Sequence, residues 1–415
     1  MSWSGASTPR SSVALSERDD RGATRGPFVA VLALLLSTGW VANHFVALMP
    51  LISDQQHLSA ATLDAIFGIY ALGLVPGLLV GGRVSDALGR RPVALSGSAI
   101  AVAGTVAMLG SQQSDVLLIG RFIVGLGVGL TMSACTAWAS DMRGPAGAAT
   151  AGAVLTAGFA IGPFGAAVIT RAGQSGVRTS FAVAAAFVLS AMAAAVMAGR
   201  RVTTTQRAAA PVSGIVSRDA PEASAPARQG TAWALGWAIP LAPWVFASAT
   251  LGFITIPGRI HTGLAAPVAA GTATLIVNGV SGLIQVLARA RGWGPQAGTA
   301  GAILAALGYA LTAAAPATMT SALGLPLFLI LGCASGLCLR AGLIDLEATA
   351  PQRIRGGLTG IFYVVTYIGF GLPLILTTVG TIIATTILSV MAVLALGTAV
   401  SRAVRLRTNP PPAAP

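Results

Sequence analysis

Two kinds of residue in this chain are equipped for chemistry: charges crowded into one polar stretch, and single polar groups set in long apolar runs. The stretch is Gly81-Gly82-Arg83-Val84-Ser85-Asp86-Ala87-Leu88-Gly89-Arg90-Arg91-Pro92, in a chain that is only 9% charged. Arg90 and Arg91 need no explanation beyond setting topology. Asp86 does, because a carboxylate among arginines can pair with Arg83 or Arg90, or accept hydrogen bonds from a helix N-terminus. Such contacts make and break, which is conformational chemistry. The isolated groups are Asn43, His44, Asp64 and Arg121. Histidine titrates near neutral pH, and an arginine inside an apolar run faces a bundle interior or water. Arg121 lies about 5 residues, or ~8 Å, inside its run, at a depth similar to Asn43-His44. One expectation is a single His44–Arg121–Asp64 group that carries protons. The plainer alternative is a snorkelling arginine, a satisfied interfacial histidine and a helix N-terminal aspartate.

Neutral hydrogen-bonding groups form a second set. Asn278, Ser281 and Gln285 recur at helical spacing on one face of an apolar run. Trp233 and Trp237, and Tyr363 and Tyr367, are aromatic pairs four residues apart, and Tyr70 is a further buried-type tyrosine. Of these, Tyr70, Trp237, Asn278, Gln285, Tyr363 and Tyr367 are the candidate walls of a cavity, with packing as the alternative. Central charge is scarce, which points to a neutral or amphipathic small molecule. Cys135, Cys333 and Cys338 sit in apolar runs at no metal-ligand spacing, so neither a metal nor another cofactor is expected. No H-E-x-x-H, nucleophile constellation or G-x-x-x-x-G-K-[ST] occurs, which argues against an intramembrane enzyme and an ATP-driven pump.

The elements that must hold these residues are membrane helices. The chain is 54% apolar, and a crossing needs about 20 apolar residues. Mean hydropathy is +0.79. Twelve runs qualify, at about 27–49, 62–82, 93–110, 116–138, 147–170, 179–199, 231–255, 265–288, 298–315, 321–341, 356–376 and 380–402. The net charge of +13 comes from arginines spread over the gaps between runs, not clustered as for a nucleic-acid partner. With the N-terminus inside, 21 of the 25 arginines fall on the inner side, three on the outer, and Arg121 lies within a span. That asymmetry follows the positive-inside rule and predicts both termini in the cytoplasm. Residues 1–26 read as a disordered tail and not a cleaved signal, because Glu17, Asp19 and Asp20 interrupt it and the run that follows is too long. Residues 27–199 read as one six-helix bundle, 200–230 as a flexible linker, 231–402 as a second bundle, and 403–415 as a tail.

The 81–92 stretch resembles the loop signature of the major facilitator superfamily, G-x-x-x-D-x-x-G-R-R, matched here by Gly82, Asp86, Gly89, Arg90 and Arg91. Arg121, Gly125 and Gly129 resemble that family's R-x-x-x-G-x-x-x-G motif in the fourth helix. Gly158, Gly162 and Pro163 partly resemble the fifth-helix motif of its drug–proton antiporters; the closing glycines depart from it. The first span also lacks the acid that many proton-coupled members carry there. The resemblance implies an all-α membrane protein whose twelve helices form two six-helix bundles. It further implies that Asp86 is an inner latch toward the start of the eleventh span near Arg355, with Asp141 as a further member. Asp141-Met142-Arg143-Gly144 echoes Asp345, Glu347 and Arg355-Gly356, and Gly162-Pro163 echoes Gly369 to Pro373, as expected of repeated halves. The reading is a monomeric secondary transporter of the plasma membrane, exporting a small compound in exchange for protons. A proton-coupled importer is the alternative, and a transport-inactive receptor lies outside that class.

Overall fold

In a bilayer every backbone polar group needs an internal partner, so apolar runs of this length must close their hydrogen bonds as helices. The structure is a computed structural model that describes residues 10–173, 175–208, 230–350 and 355–408, with the side chains of 10–25, 145, 172, 199–208 and 355–356 outside the description. Among the described residues twelve helices are long and apolar enough to cross a membrane. The first six are Gly26–Gln56, Ala60–Leu88, Arg90–Gly110, Ser114–Gly144, Ala146–Ile169 and Gly176–Ala198. The second six are Thr231–Arg259, Ala266–Ala290, Gln296–Ala314, Ser321–Thr349, Gly357–Thr378 and Thr381–Thr408. Several run past the apolar limits expected above: the first reaches Gln56, not Met49. Hydropathy marks only the hydrocarbon core, while the helical hydrogen bonds continue into the interface. Most of the expected 200–230 linker lies outside the described residues.

The ends of the helices have local causes. Ser59 caps the second span by accepting from the Thr62 N–H at 3.1 Å. Gly89 separates the second and third spans at φ +94°, and Gly144 separates the fourth and fifth at φ +60°. Both lie where a side chain is strained, so glycine is required.

Small residues then set how closely the helices pack. Gly73 and Gly77 of the second span lie against the backbone of Phe122, Leu126 and Gly129, while Gly125 and Gly129 of the fourth lie against Tyr70 and Leu74. Gly39 of the first span meets Gly158 and Phe159 of the fifth. The second half repeats both contacts. Gly332 and Gly336 of the tenth span meet Val277 and Ser281 of the eighth, and Gly369 of the eleventh meets Phe246 and Ala247 of the seventh. Outward-facing Leu72, Ile119, Leu189, Met197, Ile382 and Val393 are all exposed, as a lipid-facing surface requires.

Hereafter the proximal end of the bundle is the one holding the start of the first span and the end of the twelfth. The distal end is the other.

Candidate functional site

Proline lacks an N–H, so each proline inside a helix leaves the carbonyl four residues earlier without its usual donor. Pro163 frees the Phe159 carbonyl in the fifth span. Asn43 Nδ2 of the first span donates to it at 2.9 Å, and Asn278 Nδ2 of the eighth donates at 3.4 Å. A carbonyl only accepts, so both amide nitrogens must face it. Pro373 likewise gives no N–H to the Gly369 carbonyl, which accepts instead from the Leu372 N–H in a tighter turn and from Thr250 Oγ1 of the seventh span at 3.0 Å. The first–fifth pair and the seventh–eleventh pair are thus stitched by one device, used twice.

Phe159, Asn43 and Asn278 all line a small cavity at the interface of the halves. It holds about 350 Å³ of empty space, including the part open to solvent. Asn43 and Tyr70 line it from the first half, and Asn278 and Tyr367 from the second. Tyr70, Asn278 and Tyr367 were expected as wall residues, and Asn43 was expected beside His44. Ala42, Phe159, Phe246, Phe253 and Phe370 complete the wall and were not singled out in the sequence. Phe370 stacks on Phe67 at 5.0 Å with 10° between the planes, which joins the second and eleventh spans. No charged side chain lines the cavity. Gln285 and Tyr363 are half-buried, and neither lines it. Gln285 instead donates to the Ser281 carbonyl one turn back, and Tyr363 packs on Phe362.

Arg121 lies directly behind this wall. It is fully buried, so it does not snorkel. Its Nη1 donates to the Ala42 carbonyl at 2.9 Å, at the point where the first span breaks between Asn43 and Phe45. Its guanidinium lies over the rings of Tyr70 at 4.5 Å and Phe45 at 4.9 Å. His44, at the break, packs edge-on against Phe181. Its Nδ1 must carry the proton it gives to the Val41 carbonyl at 3.1 Å, which leaves Nε2 bare in the neutral ring. Among the described residues the Nε and Nη2 of Arg121, the Nε2 of His44 and the hydroxyl of Tyr70 are buried without a partner.

Asp64 does not join this group. It is buried at the distal start of the second span, and its Oδ2 accepts from Thr377 Oγ1 of the eleventh at 2.9 Å. The expectation of one His44–Arg121–Asp64 site therefore divides in two. Asp64 and Tyr70 are six positions apart, about 9 Å along the helix axis, which holds the carboxylate away from the guanidinium.

At the proximal end the loop charges form a network within the first half. Arg90 forms an ion pair with Asp86, binds Asp141 through Nε at 2.9 Å, and reaches Ser85 Oγ at 2.8 Å. Ser85 in turn donates to the Gly82 carbonyl at 2.8 Å. Arg91 donates to the Val196 carbonyl of the sixth span at 2.9 Å, and Arg83 is exposed. Arg355 opens the eleventh helix, but its side chain lies outside the described residues.

Trp237 was expected in the cavity and lies elsewhere. Its ring is packed beneath Arg402 and Arg405 at the proximal end of the seventh and twelfth spans. Arg402 forms a buried two-pronged ion pair with Asp345 of the tenth span, at 2.6 and 3.1 Å. Arg405 donates at 2.5 Å to the Gly236 carbonyl that Pro240 frees. The guanidiniums hold the tryptophan at the proximal rim, away from the centre.

A family model described as Major Facilitator Superfamily matches residues 29–374. The chain is similar to "Multidrug resistance protein MdtL" of Shewanella oneidensis and of Klebsiella pneumoniae, 34% identical over 98 residues in each case. That match covers 24% of this chain, and the chain spans about a quarter, 24%, of the length of those curated relatives. Among solved structures it resembles a POT family transporter in complex with thioalcohol-conjugated peptide, with a TM-score of 0.71 and 13% identity, covering 94% of this chain and 96% of that one. A peptide transporter POT in complex with sulfate is similar at a TM-score of 0.70 and 13% identity, covering 91% and 94%. At such identities the likeness is one of fold.

Proposed function

The chain belongs to the major facilitator superfamily, and on that premise we propose that it moves a small amphipathic or neutral compound out of the cell in exchange for protons, by alternating access. It is a multi-pass membrane transporter and not an enzyme. In the proposed setting the proximal end faces the cytoplasm, because the arginines concentrate there, and the membrane is the bacterial inner membrane.

One observation carries the reading: a cavity lined from both halves and closed at the distal end by the Asp64–Thr377 bond and the Phe67–Phe370 stack. Both contacts join the halves, so both must break for the cavity to open outward. The direction of transport rests on the partial match to the multidrug relatives and on the Gly158, Gly162 and Pro163 resemblance to the antiporter motif. Asp64 and His44 serve as two separate proton-accepting groups, one at the distal gate and one behind the cavity. The Asp86–Arg90–Asp141 network serves as the inner latch, meeting the start of the eleventh span when the proximal side is shut. Transport in everted vesicles against transport in whole cells tests the direction. Proton-driven accumulation of ethidium or another amphipathic dye in everted vesicles supports export, whereas accumulation only in whole cells supports import.

A further inference from the structure

Arg121 is a fully buried guanidinium for which no carboxylate partner exists among the described residues. Such a charge is expensive to bury without a counter-charge. Two aromatic faces and one backbone carbonyl offset part of that cost. The nitrogens left bare are Nε and Nη2. These two lie on the same edge of the guanidinium, with their N–H bonds parallel, and that edge matches the two oxygens of a carboxylate. The Asp345–Arg402 pair, by contrast, uses Nη1 and Nη2.

The guanidinium lies behind the wall of the transport cavity. Of the three residues that contact the guanidinium, Ala42 through its carbonyl and Tyr70 through its ring also line that cavity, and Phe45 does not. The Tyr70 hydroxyl is itself buried without a partner and is a donor. Asn43, Asn278 and Tyr367 add neutral polar groups to a wall otherwise made of phenylalanine, and no charged side chain lines it.

We propose that the Nε–Nη2 edge of Arg121 binds one carboxylate of an aromatic or other strongly apolar monoanion, with Tyr70 as the movable partition between cavity and guanidinium. This inference rests on the transporter reading above and names the substrate class of the same site: amphipathic, with a single oxyanion head and an apolar body held by Phe159, Phe246 and Phe370. A free small anion offers the same chemistry and is the other source to be distinguished.

Binding to the purified full chain, read by tryptophan fluorescence and thermal shift, tests this with benzoate, benzyl alcohol, benzyltrimethylammonium and formate as probes. Benzoate is expected to bind about tenfold or more tightly than benzyl alcohol, the size of one charge-assisted pair. Arg121→Lys, which keeps the charge and loses the fork, is expected to weaken benzoate by a similar factor. Formate as tight as benzoate, and equally weakened in that variant, keeps the fork and assigns it to a free anion. Equal affinity for benzoate and benzyl alcohol, preference for the cation, or no binding by any probe overturns the proposal; this comparison uses the wild type and stands even if the variant fails to fold. The transporter reading fails separately, if reconstituted protein moves no amphipathic solute of any charge.

Discussion

Asn43 of the first span donates its side-chain amide to the Phe159 carbonyl of the fifth at 2.9 Å, and that carbonyl is available because residue 163 is proline. Asn278 approaches the same oxygen from the other half of the chain. One freed backbone acceptor in the fifth span therefore gathers polar side chains from two other helices at the cavity wall. Pro163→Ala should restore the intrahelical bond and remove a helix defect worth up to about 3 kcal/mol. We expect a higher thermal midpoint together with slower transport. A lower midpoint with normal transport would show that the freed carbonyl has no such role.

Asp64 and Thr377 bridge the halves at the distal end. If that carboxylate carries protons during the cycle, Asp64→Asn keeps a hydrogen-bonding shape but loses the titratable group. The pH dependence of transport should flatten in Asp64→Asn and flatten further when His44→Ala is added. An unaltered pH profile in the double variant would exclude both residues from coupling.

Asp86 and Asp141 share the Arg90 guanidinium at the proximal end. Asp86→Asn should cut transport severely while leaving expression and membrane insertion intact. The check is the ratio of transport to quantified protein in membrane fractions, and a normal ratio removes the latch from the account.

Gly89 stands at φ +94° between the second and third spans. Gly89→Ala should destabilise the protein by about 1–2 kcal/mol, the cost of forcing a side chain into left-handed backbone space. Thermal midpoints of detergent-purified protein report it, with Gly82→Ala as a control, since a methyl group added there meets no neighbour.

Asp345 and Arg402 form a buried ion pair. Asp345→Ala leaves an unpaired buried guanidinium and should cost about 3–5 kcal/mol, whereas an apolar replacement of both partners should recover most of it. Chemical denaturation of the three proteins would reveal the difference, and equal loss in single and double variants would contradict it.

Much of this was legible in the sequence because the bilayer permits few solutions. Apolar runs of sufficient length had to be helices, and the twelve expected spans are all present. Asn43, Tyr70, Asn278 and Tyr367 stood out as polar-bearing groups in such runs, and all four line the cavity. The same logic misplaced Trp237, because its neighbours Arg402 and Arg405 lie some 165 positions away in the chain and no local pattern announces them. Asp64 was grouped with Arg121 as an acid at the outer start of the second span, whereas its partner Thr377 is 313 positions distant. The four cavity phenylalanines carry no signal that separates them from packing residues. The carbonyls of Phe159 and Gly369 could have been anticipated, since a proline four places on marks each one.

The central claim is that the two halves rock about the cavity, so that one end closes as the other opens. Distances between paired spin labels test it most directly, in a chain with Cys135, Cys333 and Cys338 replaced. One pair, Leu58→Cys with Gly380→Cys, spans the distal end; the other, Leu88→Cys with Gly357→Cys, spans the proximal end. As pH and ligand are varied, the account predicts that one distance lengthens while the other shortens. Distances that stay fixed under every condition, or that lengthen together, would contradict it.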